Sequence, residues 1–68
     1  MKELDLHGLK HHEVEDEVEN FILSTDPPFR IITGHSDEMK RILNKLLVYY
    51  EFKFYIPAHN SGETIVTE

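Results

Sequence analysis

Apolar and polar residues alternate at the start of the chain and then follow a helical period. Leu4-Asp5-Leu6-His7 alternates, which predicts a short half-buried strand that ends at Gly8. From about residue 10 to residue 24, apolar residues recur at intervals of three and four, as on one face of a helix. These residues are Val14, Val18, Phe21 and Ile22. Asp26-Pro27-Pro28 then predicts the end of this helix and an extended turn.

The same two patterns return after the prolines. Residues 29–33 (Phe-Arg-Ile-Ile-Thr) are mostly aromatic or β-branched and predict a second strand. A loop over residues 34–36 leads into a second predicted helix, with Ser36 as its N-cap. Asp37 and Glu38 fall in the first turn, where negative charge favours the helix dipole. The apolar stripe of this helix consists of Met39, Ile42, Leu43, Leu46 and Tyr50.

The residue pattern near the end of the chain predicts two more strands, which complete the predicted fold. Residues 52–56 and 64–67 are the third and fourth strands, joined by a polar loop of hairpin composition. The element order is β-α-β-α-β-β. It predicts a single α/β domain over residues 1–68, a two-layer sandwich whose mixed four-stranded sheet has parallel first strands.

Charge is unevenly distributed along the chain. The net charge of -6 argues against nonspecific nucleic-acid binding through bulk charge, because phosphate contacts need local cations. Five acids stand between residues 13 and 19 of the first helix, whereas the cations Lys40, Arg41 and Lys45 stand in the second. The acidic run is most simply a solvated helix face. Its alternative role is contact with a basic protein partner.

Composition also limits the cellular setting. The chain has no cysteine, so neither a disulfide nor a thiolate metal site is available. Its apolar runs are far too short to cross a bilayer, and the N-terminus has no signal-peptide pattern. We therefore expect a soluble cytoplasmic protein without a membrane partner.

Topology predicts where a site forms. Ligands of open α/β sheets bind beyond the carboxyl ends of parallel strands, and here those ends are His7-Gly8 and residues 33–36. Asp5 and His7 are two residues apart on a strand, so we expect them on one open face. A carboxylate beside an imidazole can fix the imidazole tautomer, raise its basicity or bind a divalent metal with it. The alternative is a structural hydrogen bond that locks the first strand to a neighbour.

The second segment offers a different chemistry. Gly34 permits close backbone approach, and the N-terminus of the second helix is a natural phosphate site. His35 adds a donor or a cation there, although Asp37 and Glu38 oppose phosphate. The structural alternative is a strand-to-helix turn with a serine cap.

Taken in order, these segments resemble the Smr (small MutS-related) family. Its marks are an initial Leu-Asp-x-His and a second-strand Thr-Gly-x-Gly. The first is intact as Leu4-Asp5-Leu6-His7, and the second stands as Thr33-Gly34-His35-Ser36. Residues 61–66 (Ser-Gly-Glu-Thr-Ile-Val) are similar to the family's glycine-containing loop and final strand. The likeness covers nearly the whole chain in the correct element order.

The resemblance implies a two-layer α/β sandwich that binds DNA or RNA and, in several family members, nicks it as an endonuclease. Asp5 and His7 then take the catalytic positions, with Mg²⁺ or Mn²⁺ as a candidate cofactor. The substrate-binding positions are Thr33, Gly34, His35, Ser36, Lys40 and Arg41. Ser36 replaces the family's last motif glycine, and the net charge is acidic. Both departures keep open a catalytically inactive module that binds nucleic acid or protein.

Overall fold

The computed structural model describes the whole chain, Met1–Glu68, as one α/β unit. Its strands are β1 (Lys2–Asp5), β2 (Phe29–Ile32), β3 (Phe54–Tyr55) and β4 (Glu63–Val66). Its helices are α1 (His11–Ser24) and α2 (Asp37–Tyr49). The predicted element order is confirmed. Neither helix is both long enough and apolar enough to span a bilayer.

The four strands form one mixed sheet in the order β1-β2-β4-β3. Strand β1 pairs with β2 in parallel, as predicted, and β4 runs antiparallel to both β2 and β3. Strand β3 is therefore parallel to β1 and β2, although β4 lies between β2 and β3 in the sheet. As a result, the three parallel strands all end at the same rim of the sheet, where β4 begins.

Both helices pack on one face of this sheet. In β2, Phe29 and Ile31 are fully buried, whereas Arg30 and Ile32 on the opposite face remain half-buried. The buried face joins a single core of eleven residues: Leu6, Val14, Val18, Ile22, Phe29, Ile31, Met39, Leu43, Leu46, Leu47 and Val66. At its centre the ring of Phe29 lies edge-on to Phe21 at 5.2 Å and to Phe52 at 6.0 Å. The arrangement is a two-layer sandwich with one open sheet face.

Two strand boundaries differ from those predicted. Strand β1 ends at Asp5, and His7 lies in the following turn. Strand β3 has two residues instead of five, and Phe52 is not among them because its amide donates to Leu47 O at 2.9 Å. That bond belongs to the turn that ends α2, where Glu51 adopts a φ of 63°. Phe52, the first residue of the expected strand, therefore belongs to the turn that ends α2.

We expect Phe29→Ala to lower the free energy of unfolding by about 3–5 kcal/mol, because it opens a cavity at the centre of the core. This is a large share of the stability of so small a domain. Chemical denaturation monitored by circular dichroism measures the change. Tyr55→Ala is the control, since Tyr55 is 54% exposed on the short strand β3. Equal losses in the two variants would contradict this account of the core.

Candidate functional site

Three separate segments meet at the rim where the parallel strands end. The amide of Leu6 donates to Ile32 O at 2.8 Å, so the turn after β1 stays against the end of β2. The amides of Thr33 and Gly34 both donate to Gly62 O, at 3.0 and 2.9 Å. The segment before β4 is thereby joined to the segment after β2. The Asp5–His7 segment, the Thr33–Ser36 segment and the loop before β4 therefore form one surface, which we call the rim site.

Asp5 and His7 are both exposed at the rim site. The carboxylate oxygen Oδ1 of Asp5 accepts the backbone N–H of His7 at 2.8 Å. The bond closes the turn after β1, and Gly8 follows with a φ of 90°. Because the strand ends at Asp5, the alternation that would place His7 on the same face does not extend to it. The carboxylate thus fixes the backbone of His7 and makes no hydrogen bond to its imidazole.

Thr33 and Gly34 serve the loop itself. Thr33 is 3% exposed, and its hydroxyl donates to Gly34 O at 2.9 Å and more weakly to Gly62 O at 3.4 Å. Gly34 has a φ of 65°, a conformation that residues with a side chain rarely adopt. No atom lies within 4 Å of where its Cβ would be, so backbone conformation rather than space favours glycine. The Thr33 hydroxyl therefore lies inside the protein and is occupied by backbone carbonyls of the loop.

His35 and Ser36 point to different roles. His35 is exposed, and its Nδ1 lies 3.4 Å from the hydroxyl of Ser61. Ser36 is the N-cap of α2, as predicted, since its Oγ accepts the amide of Met39 at 3.2 Å. Its φ of -76° is ordinary for any residue. The backbone at this position therefore does not require the glycine of the family motif.

The two cations at the start of α2 differ in their surroundings. Arg41 binds the carboxylate of Glu38, with Nε 3.2 Å from Oε2. The hydrogen bond from Arg41 lowers the pKa of Glu38, and the charge of His11 lowers it further. The same hydrogen bond raises the pKa of Arg41. Lys40 is half-buried and forms no salt bridge. Lys40 is thus the one of the two whose charge is not balanced by a neighbouring carboxylate.

The rim site does not gather a metal-binding group. No group of three or more His, Asp or Glu side chains is placed so that it could hold a metal ion. Asp5 and His7 supply one carboxylate and one imidazole, fewer than the three protein ligands typical of a catalytic zinc site. Their role toward Mg²⁺ or Mn²⁺ stays a prediction.

The loop before β4 contributes residues that the sequence analysis treated as a simple hairpin. Asn60 Oδ1 accepts the amide of Gly62 at 2.9 Å, and Asn60 Nδ2 donates to Glu63 Oε2 at 3.2 Å. Glu63 is only 9% exposed. It pairs with Ile32, which pairs with Asp5, so both carboxyl side chains lie on the open sheet face. The pairing of β4 with β2 creates this proximity, and the sequence carried no signal of it.

We expect Ser36→Ala to lower the free energy of unfolding by about 1 kcal/mol, because the amide of Met39 loses its side-chain acceptor. Ser36→Gly, which introduces the family's residue, should cost only a few tenths of a kcal/mol. Thermal or urea unfolding measures both. The control is Ser24→Ala, since the exposed Ser24 hydroxyl donates to Asn20 O and caps no amide. A loss at Ser24 as large as that at Ser36 would argue against the cap.

The family resemblance has no support from comparison with known proteins. No protein-family model matches the chain, and neither does any curated protein or solved structure. The fold class and the meeting of the two motif segments at one rim are observed directly. Membership of the Smr family stays a prediction that rests on the motifs and on the element order.

Proposed function

We propose that this chain is an Smr-like nucleic-acid-binding domain that nicks DNA or RNA strands at the rim site. The observation that carries the proposal is the position of Asp5 and His7, which are exposed beside the loop that bears Gly34 and His35. A carboxylate, two imidazoles and a glycine turn at a helix N-terminus suit a phosphodiester. The setting we propose is the cytoplasm.

The proposed reaction is hydrolysis of a phosphodiester bond. Water attacks phosphorus, its proton passes to a general base, and a general acid protonates the oxygen that leaves. Asp5 is the proposed base: its side chain is exposed, Oδ1 accepts the amide of His7, and Oδ2 is the oxygen proposed to take the proton. His7 is the proposed acid. The Gly34–His35 turn and Lys40 then hold the phosphate group.

The proposal includes a divalent metal ion, Mg²⁺ or Mn²⁺, as a candidate cofactor. Mg²⁺ is commonly held by one or two carboxylates together with water and substrate phosphates. Asp5 is the carboxylate that would serve, and the chemistry supplied is polarisation of the phosphoryl oxygen. The assay therefore contains Mg²⁺ or Mn²⁺, with a chelator as the comparison.

A second candidate function is binding of nucleic acid or protein without cleavage, and the acidic charge balance favours it over efficient action on a polyanion. Three of the cations are neutralised within the protein: Arg30 by Glu3, Arg41 by Glu38 and Lys53 by Glu68. With a net charge of -6, little positive surface is left for a polyanion. A non-catalytic module would bind nucleic acid weakly and with strong salt dependence.

The decisive experiment is a nicking assay on supercoiled plasmid and on structured RNA with the Asp5→Asn variant. Asparagine keeps an oxygen that accepts the His7 amide, so the turn is preserved while the base is removed. We expect cleavage to fall about 100-fold or more. Asp16→Asn is the control, because Asp16 is exposed on α1 and the charge change is the same. Full activity of Asp5→Asn would overturn the catalytic assignment.

Nucleic-acid binding is tested separately by fluorescence anisotropy with labelled single-stranded DNA and RNA. We expect Lys40→Glu to weaken binding. The slope of log affinity against log salt concentration should fall by about one, which corresponds to the loss of one phosphate contact. Lys53→Glu is the control, since Lys53 pairs with Glu68 just before β3, at the opposite end of the strands from the rim. Binding without cleavage by the unmodified protein would select the non-catalytic candidate. Equal losses in both variants would argue against the rim site.

A further inference from the structure

The one cavity in the structure lies between the two helices and away from the rim site. It is a groove of about 340 Å³, and no strand residue lines it. One wall is formed by Glu15 and Glu19 of α1, and the apolar floor is formed by Ile42 and Leu46 of α2. A groove of this size holds one or two side chains of a partner. We call it the interhelical groove.

Two tyrosines close one end of the interhelical groove. Tyr50 donates its hydroxyl to Glu19 Oε2 at 2.6 Å, and this bond raises the pKa of Tyr50 to about 12, so the phenol stays protonated at neutral pH. Tyr49 packs edge-on against Tyr50 with ring centroids 4.9 Å apart, and it is itself 75% exposed. The hydrogen bond thus holds Tyr50 in place, while Tyr49 offers exposed aromatic surface to a partner.

The free charge beside the groove is mainly negative. On the α2 side Arg41 is bound to Glu38, so Lys45 is the lining cation without a salt bridge. On the α1 side neither Glu15 nor Glu19 has a salt bridge, so two such lining carboxylates stand against one such lining cation. A cationic side chain of a partner would therefore meet carboxylates and the exposed ring of Tyr49, an arrangement that favours cations.

We propose that the interhelical groove binds a basic amphipathic peptide segment of another protein. Its apolar side chains pack on Ile42 and Leu46, and its lysines or arginines lie against Glu15 and Tyr49. The partner would thus contact acidic residues of α1 and apolar residues of α2 at the same time. The site is separate from the rim site and does not depend on the proposed nucleic-acid function.

The test is fluorescence anisotropy with a fluorescein-labelled peptide of about 15 residues, an amphipathic helix of Lys, Leu and Ala. We expect saturable binding that Glu15→Lys weakens about tenfold and Tyr49→Ala weakens about threefold or more. Glu17→Lys is the matched control, because it makes the same charge change on the same helix outside the groove. Its effect should be less than about threefold. Asp5→Asn should leave the peptide affinity unchanged, which separates this site from the rim site.

Several outcomes would overturn the proposal. Equal losses in Glu15→Lys and Glu17→Lys would show attraction by overall charge instead of a groove. A peptide of scrambled sequence that binds equally well would argue against an amphipathic partner. Absence of peptide binding, together with self-association in sedimentation velocity that Glu15→Lys abolishes, would assign the groove to a second copy of this chain. Circular dichroism checks that each variant is folded.

Discussion

The central position of β2 is the constraint on which the rest of the structure depends. This strand pairs with β1 along one edge and with β4 along the other, so its backbone hydrogen bonds are satisfied on both sides. Its buried face carries Phe29 and Ile31, against which both helices assemble the core. Its carboxyl end continues into Thr33 and Gly34, whose amides bind the Gly62 carbonyl. The same strand therefore organises the core and the rim site.

Several motif residues that suggested nucleic-acid chemistry stabilise the fold. The Thr33 hydroxyl is bonded to backbone carbonyls, Gly34 supplies a left-handed turn, and Ser36 caps α2. The rim exposes Asp5, His7 and His35, whose side chains are not part of the core. Scaffold and candidate chemistry are thus adjacent in the sequence, and Asp5 serves both because its Oδ1 also accepts the amide of His7. The Asp5→Asn substitution keeps an acceptor oxygen for that amide, so it removes the carboxylate charge while the turn is retained.

The charges follow the two-layer architecture. Carboxylates collect on the outer side of α1, whereas much of the positive charge is balanced by a neighbouring acid, as in Arg30–Glu3 on the open sheet face. Exposed pairs of this kind add little stability, because solvent screens them. Their larger effect is on recognition, since they reduce the positive field that a phosphate backbone would meet. Lys40 near the rim and Glu15 beside the interhelical groove are two charged groups left without a salt bridge.

The sequence by itself determined the fold class, the element order, the parallel first strands and the Ser36 cap. These follow from short-range causes: apolar periodicity, proline and glycine positions, and the preference of a serine oxygen for free helix amides. Only the tertiary structure decided that Asp5 binds the backbone of His7, that Arg41 is held by Glu38 and that Glu63 lies across Ile32 from Asp5. It also revealed the groove between α1 and α2. Such contacts depend on side-chain conformations and on strand register between distant segments, and neither is encoded in the local pattern of residues.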